Sequence, residues 1–176
     1  QIIQTLYTSG NIYQTVTYSC YSELEGCRGD PIPSVVTVYP VPDVIVVPPS
    51  SSLCSGETTA ISLQSQVAGS QFGWTVSGSP NVSGFLAGTG NFISQLLTNN
   101  SNTSGSAQYV VIPSVAGCTG LPAGIAVTVN PRPAVTLSLC NDTITTTGAP
   151  PLFLGGGLPR GGQFSGPGVD SGTGFF

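Results

Sequence analysis

Five cysteines are the side chains of this sequence best suited to specific chemistry. Thiolates bind zinc when two of them lie a short CxxC interval apart and further cysteine or histidine ligands complete the set. No pair of cysteines here has that spacing, and the sequence contains no histidine. We therefore expect no metal site, and we interpret the cysteines as disulfide formers or free thiols.

The remaining reactive groups form no catalytic pattern. The seven carboxylates are scattered along the chain, with no pair placed to divide the work of general acid and general base. Serine nucleophiles need a base, and histidine is missing. We expect no enzymatic activity and no cofactor. A calcium site at Asp43 would require a cluster of further oxygen ligands, which the sequence does not show.

A stretch near the start of the chain returns 91 residues later without a gap. The matching positions are a tyrosine, a cysteine and two prolines: Tyr18 and Tyr109, Cys27 and Cys118, Pro40 and Pro131, Pro42 and Pro133. Self-similarity at a fixed period predicts a tandem array, which usually serves reach rather than catalysis.

The period divides the chain into three parts. One complete unit of about 90 residues occupies 44–133, residues 1–43 match the back half of such a unit, and residues 134–176 resemble the front half of a divergent one. A half-unit alone buries too little apolar surface to offset its chain entropy. We expect the sequence to be an excerpt of a longer protein. The alternative is that a half-unit of one chain completes a half-unit of another.

Hydrophobic patterning predicts an all-β fold. Apolar and polar residues alternate in 59–67 and 123–130, as expected of half-buried strands. The complete unit contains seven predicted strands separated by turn-forming residues and no predicted helix; the strands are 44–47, 59–67, 71–76, 82–86, 92–98, 106–113 and 123–130. This pattern is typical of an immunoglobulin-like β-sandwich.

Within such a sandwich, aromatic and proline residues have expected places. We expect Trp74, Tyr18 and Tyr109 to be core aromatics, the tryptophan in the position of a buried strand residue. The linker prolines, Pro40, Pro42, Pro131 and Pro133, restrict the backbone. The linkers should therefore be extended and semi-rigid, joining the sandwiches end to end.

The order of the predicted strands suggests a role for each cysteine. Cys54 precedes the second strand and Cys118 lies between the last two, so a Cys54–Cys118 disulfide would join distant parts of the unit and stabilise it by about 4 kcal/mol in the chain-entropy model. Cys27 and Cys140 would then have partners outside this sequence. Cys20 either pairs with Cys27 across a local turn or stays free.

Charge and hydropathy exclude two classes of partner. The net charge is −4, with three Arg and no Lys, which leaves no basic face for nucleic acid. No run of about 18 apolar residues is present, so we expect no membrane insertion. A disulfide-bearing array rich in Ser, Thr and Asn is typical of proteins outside the cell.

Several motifs of the complete unit carry a family resemblance. They are Cys54-Ser-Gly-Glu-Thr-Thr, Phe72-Gly-Trp-Thr-Val, Gly88-Thr-Gly-Asn-Phe, Tyr109-Val-Val-Ile-Pro and Val127-Thr-Val-Asn-Pro. This series resembles the PKD-like repeats of large surface adhesins of Bacteroidota, of which gliding-motility adhesins exported by the type IX secretion system are the best-known. The resemblance implies a long extracellular fibre attached to the outer membrane, with neighbouring repeats as partners, lateral or head-to-tail fibre contacts, and adhesion to a surface or polysaccharide through regions outside this sequence. It also implies Thr143, in Asp142-Thr-Ile144, as an O-glycosylation acceptor.

Three functions follow as hypotheses. The first is a structural stalk segment of a secreted cell-surface adhesin or filament that serves adhesion and gliding motility. The second is a carbohydrate- or surface-binding module, which would need an exposed aromatic platform such as Trp74. The third is a subunit of a strand-exchanged polymer. Arg28-Gly29-Asp30 spells an integrin-recognition tripeptide, but a match of three residues arises readily by chance.

Overall fold

The computed structural model describes residues 2–138, 148, 156–167 and 169. These residues form strands, turns and extended segments without any helix, which confirms the prediction of an all-β fold. Contacts divide the chain into two compact parts, Gln1–Pro131 and Arg132–Phe176.

The first of these parts, Gln1–Pro131, contains two groups of strands. The first group forms a hairpin with a smaller hairpin at its tip: β1 Gln14–Cys20, β2 Glu23–Leu24, β3 Cys27–Arg28 and β4 Ile32–Val38. The second group forms a sandwich: β5 Ile45–Val47, β6 Ser50–Cys54, β7 Glu57–Thr58, β8 Ile61–Gln64, β9 Gln71–Gly78, β10 Val82–Ser83, β11 Gly88–Thr89, β12 Phe92–Ile93, β13 Leu96–Asn99, β14 Gly105–Val115, β15 Cys118–Thr119 and β16 Ala123–Asn130.

The sandwich has one large sheet and two small ones. The large sheet has the order β11-β9-β14-β16-β6, with β15 paired to β14. Its pairs are antiparallel except β16 with β6, which are parallel. The small sheets are β12-β8-β5 and β10-β13-β7. Alternating residues of β14 and β16 are buried, as expected for strands that turn one face toward a core.

One hydrophobic core joins the sheets. Its buried members come from the large sheet and from both small sheets: Ile61, Leu63, Phe72, Trp74, Val82, Ile93, Leu97, Ala107, Tyr109, Val111, Ile125, Val127 and Val129. Val44, Val46, Leu53, Val76 and Phe85 pack against this cluster at its margin. This arrangement is a β-sandwich, in agreement with the predicted fold class.

Strand positions differ from the prediction in several places, of which three are the most informative. The strand β6 was not predicted, because two prolines and a serine run read as a loop, yet it pairs with β16 over Ser50–Cys54. The predicted strand 59–67 is shorter, Ile61–Gln64, since Ser65 and the Gln66 amide bond to the Asp43 carboxylate instead. The predicted strand 92–98 is interrupted at Ser94 and Gln95 between β12 and β13.

The hairpin of β1 and β4 has the same register as β14 and β16. Gln14 faces Val38 and Tyr18 faces Ser34, while Gly105 faces Val129 and Tyr109 faces Ile125. Adding 91 to each residue of the first pair set gives the second. The tip hairpins correspond too, since the pairs Glu23 with Arg28 and Leu24 with Cys27 match Ser114 with Thr119 and Val115 with Cys118.

Even the turns of the two hairpins correspond. Glu25 and Gly26 have φ of 50° and 82°, and Ala116 and Gly117 have φ of 46° and 83°. Two consecutive left-handed residues are the mark of a type I′ turn, whose twist suits a tight hairpin. Closing hydrogen bonds match as well: Gly29 N donates to Ser22 O and Gly120 N to Pro113 O, each at 2.9 Å.

In the second part, Arg132–Phe176, the described residues include one pair of strands. β17 Thr136–Leu137 and β18 Gly157–Leu158 form this antiparallel pair. Thr136 faces Leu158 and Leu137 faces Gly157.

Ala116 carries a side chain in a conformation that favours Asn or Gly. We expect Ala116→Asn to raise the free energy of unfolding of the sandwich by about 0.5–1 kcal/mol, since Asn tolerates the left-handed region better. Thermal unfolding followed by circular dichroism measures the change. Glu25→Asn is the matched control, because it makes the same replacement outside the sandwich and should leave its midpoint almost unchanged. A lowered midpoint for Ala116→Asn would contradict the turn assignment.

Candidate functional site

The side chain of Gln95 connects the two layers of the sandwich. Tyr109, from the middle of β14, donates its hydroxyl proton to Gln95 Oε1 at 2.8 Å. The same oxygen accepts the backbone N–H of Leu86 at 3.0 Å, and Gln95 Nε2 donates to Leu86 O at 2.7 Å. Both ends of the amide are therefore satisfied, as a polar group at the edge of a core requires.

Two further contacts extend this network. Trp74 Nε1 donates to the same Leu86 oxygen at 3.1 Å. On the other side, Gln95 N donates to Thr59 Oγ1 at 2.9 Å, and Thr59 Oγ1 donates to Ile93 O at 3.0 Å. The interruption between β12 and β13 is thus where the backbone turns to present Gln95. We call Gln95, Tyr109, Leu86, Trp74 and Thr59 the glutamine anchor.

The same bond exists in the first half-unit. Tyr18 Oη donates to Gln4 Oε1 at 2.9 Å, and both residues lie 91 positions before Tyr109 and Gln95. The correspondence therefore begins near residue 2, well before the stretch recognised from the sequence. The available signal was weak, because before Gln14 only the Ile2-x-Gln4-x-Leu6 spacing and Asn11 return, as Ile93-x-Gln95-x-Leu97 and Asn102.

Burial distinguishes the three predicted core aromatics. Tyr109 is fully buried and Trp74 is 8% exposed, whereas Tyr18 is only half-buried. Tyr18 differs because β1 and β4 lack the strands that cover β14 and β16. Burial raises the pKa of Tyr109 to about 12, since the core disfavours a phenolate.

A shallow groove of about 500 Å³ crosses the large sheet near Trp74. Gln71, Gly73, Thr75, Ile112 and Thr119 are among its lining residues. Phe72 and Trp74 also border it, but both are buried in the core. The groove therefore presents small polar and aliphatic groups, and the described residues of its lining include no exposed aromatic ring on which a sugar can stack.

The predicted Cys54–Cys118 disulfide is absent from the structure, where both are free thiols. Cys54 faces Asn130 at one end of the large sheet, and Cys118 faces Val115 at the other. The 11 residues of β14 separate these ends, a span of roughly 30 Å. A disulfide requires Cα atoms within about 7 Å. The prediction was wrong because strand spacing alone did not reveal the end of the sheet at which each cysteine lies.

Cys20 and Cys27, the other described cysteines, form no disulfide either. Cys20 and Cys27 are exposed free thiols, and Cys140 lies outside the described residues. Among the described residues, no three His, Cys, Asp or Glu side chains come together in a way that would hold a metal ion.

The predicted linker prolines differ in burial. Pro40 and Pro42 are buried, Pro131 is half-buried and Pro133 is exposed. Next to Pro42, the Asp43 carboxylate accepts hydrogen bonds from Ser65 Oγ at 2.6 Å and Gln66 N at 2.9 Å. The Ser65 bond first, and then the Gln66 bond, hold the pKa of Asp43 below its usual value. Thr143, the predicted glycosylation acceptor, lies outside the described residues.

The fold and its hydrogen-bonded interior define a β-sandwich module. Residues 51–133 match the family model of the PKD-like domain, which supports a PKD-like module in this part of the chain. Such domains are commonly extracellular, structural or adhesion-type, and typically non-catalytic. No curated protein matches the chain. Among the described residues, no helix has the length and apolar character needed to cross a membrane.

Loss of the Tyr109 hydroxyl should weaken the glutamine anchor. We expect Tyr109→Phe to lower the free energy of unfolding by about 1–2 kcal/mol, because Gln95 Oε1 loses one of its two donors. Chemical denaturation measures this. Tyr18→Phe is the matched control; it removes the equivalent bond from a half-buried site and should cost the sandwich nothing. Equal effects of both variants would contradict the anchor.

The raised pKa of Tyr109 gives a second readout. Its folded pKa lies above the unfolded value of about 10, so the stability that depends on the protonated hydroxyl is complete below pH 10 and is lost as the pH rises toward 12. We expect Tyr109→Phe to remove this decline, measured as stability against pH. An unchanged decline would assign it to other tyrosines.

Reduction should leave the sandwich unaffected. Since Cys54 and Cys118 lie at opposite ends of the sheet, we expect the same thermal midpoint for the chain with and without reductant, and for Cys54→Ser in either condition. Differential scanning calorimetry checks this. A lower midpoint in reductant, abolished by Cys54→Ser, would restore the disulfide.

Proposed function

We propose that this chain is a stalk segment of a long secreted cell-surface adhesin or filament, built from tandem PKD-like units joined end to end through proline-containing linkers. The observation that carries the proposal is the equivalence of the two back halves. Their strand register, their left-handed turns and their Tyr–Gln bond all agree at an offset of 91 residues.

The interior of the module supports a mechanical role. Its polar side chains bond to one another and to backbone: Gln95 links the layers, and Asn99 Nδ2 donates to Thr103 O and Val129 O at 2.8 Å each. Hydrogen-bond networks of this kind fix loops and strand ends in one arrangement, although the buried Ser51 Oγ lacks a partner among the described residues. A stalk unit needs such a shape-holding interior more than it needs an open cleft.

The family resemblance supports a more specific proposal about the parent protein. We place the parent protein among the gliding-motility type of adhesins of Bacteroidota, exported by the type IX secretion system and attached to the outer membrane. Its partners are neighbouring repeats, other fibres through lateral or head-to-tail contacts, and an external surface or polysaccharide reached through other regions. The low charge of the chain, 6% of residues, suits an exposed fibre that has no nucleic-acid partner.

The burial of Trp74 argues against a carbohydrate-binding module. That function needs an exposed aromatic face, and the indole lies in the core with its N–H bonded to Leu86. Strand exchange was considered because a half-unit alone buries too little apolar surface. If each half-unit belongs to an array, the rest of its own unit covers that surface, and strand exchange is no longer needed.

Cells of the source organism test the proposal. An antibody against residues 44–131 should label intact cells, and external protease should remove the signal while a cytoplasmic marker survives. On a denaturing gel, the labelled band should migrate far above the 17.8 kDa of this chain. Labelling only after permeabilisation would contradict the surface role, and a band near 17.8 kDa would favour the strand-exchanged polymer.

A further inference from the structure

The linker before the complete unit is built into that unit. Pro42 is fully buried, and a Cβ at Gly120 would overlap the Pro42 carbonyl oxygen. Gly120 also donates its N–H to Pro113 O at 2.9 Å, which fixes the backbone at the base of the β14–β15 hairpin. Only a residue without a side chain permits this approach of linker to hairpin.

Asp43 fixes the next residue of the linker. Its Oδ1 atom accepts from Ser65 Oγ and from Gln66 N at the end of β8. Ser65 Oγ in turn accepts from Val67 N and Ser70 Oγ at 3.1 Å each. The carboxylate thus ends a connected set of bonds that orders the loop after β8, and such charge-assisted bonds are stronger than neutral ones.

The same loop touches the preceding half-unit directly. Asn11, just before β1, donates from Nδ2 to Gln66 Oε1 at 3.0 Å. Within the half-unit, the rings of Tyr13 and Tyr39 lie 5.7 Å apart, so the segment with Asn11 is held against the start of the linker. The linker is therefore anchored on both sides, by the unit it leaves and by the unit it enters.

We propose that Pro42, Asp43, Gln66 and Gly120 form a seat for the back half of a preceding PKD-like unit, which holds consecutive units in one fixed orientation. We call these four residues the joint seat. The occupant is the half-unit 2–41, and the contact of Asn11 with Gln66 is its direct bond to the seat. This inference rests on the proposed function only in regarding 2–41 as part of a repeat.

Equivalent positions 91 residues away provide matched control variants. Gly29 is equivalent to Gly120, but a Cβ there would meet only the movable Ser22 hydroxyl, at 2.8 Å, and its carbonyl. Asn102 is equivalent to Asn11 and is exposed at the other end of the sandwich. Gly29→Ala and Asn102→Ala should therefore leave the joint seat intact, whereas Gly120→Ala and Asn11→Ala act on it.

Residual dipolar couplings of the full 176-residue chain test the seat. In the wild type, amides of the β1/β4 hairpin and of β14 and β16 should fit one alignment tensor. Gly120→Ala and Asp43→Ala should give the hairpin its own tensor of smaller magnitude, Asn11→Ala a partial change, and both controls none. Two independent tensors in the wild type, or a single tensor in Asp43→Ala and Gly120→Ala, would overturn the proposal.

Folding of the variants is checked separately. Hydrogen exchange of β14 and β16 amides should remain protected in Asp43→Ala, which touches only the loop after β8. If Gly120→Ala loses that protection, Asp43→Ala alone decides. The surface labelling described above is independent of this experiment, so a failed joint with labelled cells, or a sound joint without labelling, tells the two proposals apart.

Discussion

The hydrogen bond between Tyr109 and Gln95 is the contact on which the sandwich depends. A β-sandwich can pack apolar faces together in several registers, because hydrophobic contact has no direction. The bond from a fully buried tyrosine to an amide that also binds Leu86 has direction. It fixes β14 against the small sheets, and through Leu86 it also fixes the indole of Trp74.

The same bond recurs 91 residues earlier, between Tyr18 and Gln4, which supports the proposed repeat. Tyr18 and Gln4 retain the same bond at nearly the same distance although the half-unit lacks the covering strands. Residues 2–38 thus have their own polar contact and their own hairpin register, but several of their apolar side chains are more exposed than those at the equivalent positions of the sandwich. Val36 and Ile2 are exposed at positions equivalent to Val127 and Ile93, which are fully buried.

The sequence predicted those features that have a local period. Alternation in 123–130 identified β16, and the match of Tyr18 to Tyr109 indicated that the β1–β4 hairpin and the β14–β16 hairpin share a register. No sequence pattern indicated the role of Gln95, because a single glutamine in a stretch that looks exposed has no period. Its role depends on the contact with Tyr109 across the sandwich. Sequence patterns also missed β6, because the prolines and serines of 48–52 resemble a loop and the pairing with β16 is not local.

The cysteines show the same limit of prediction from sequence spacing. Order along the chain suggested that Cys54 and Cys118 bracket the unit, but bracketing says nothing about the end of a sheet at which each residue lies. The parallel pairing of β6 with β16 places Cys54 at Asn130, and the type I′ hairpin places Cys118 at Val115. Long-range register decided the outcome, and no sequence spacing encodes it.

We propose that residues 2–38 and 93–129 are two copies of one back half. Nuclear Overhauser contacts in the full chain would test this claim. We expect contacts of Tyr18 with Gln4 and of Val16 with Val36, matched by contacts of Tyr109 with Gln95 and of Ala107 with Val127. A first hairpin in another register, or one without a Tyr18–Gln4 contact, would contradict the claim.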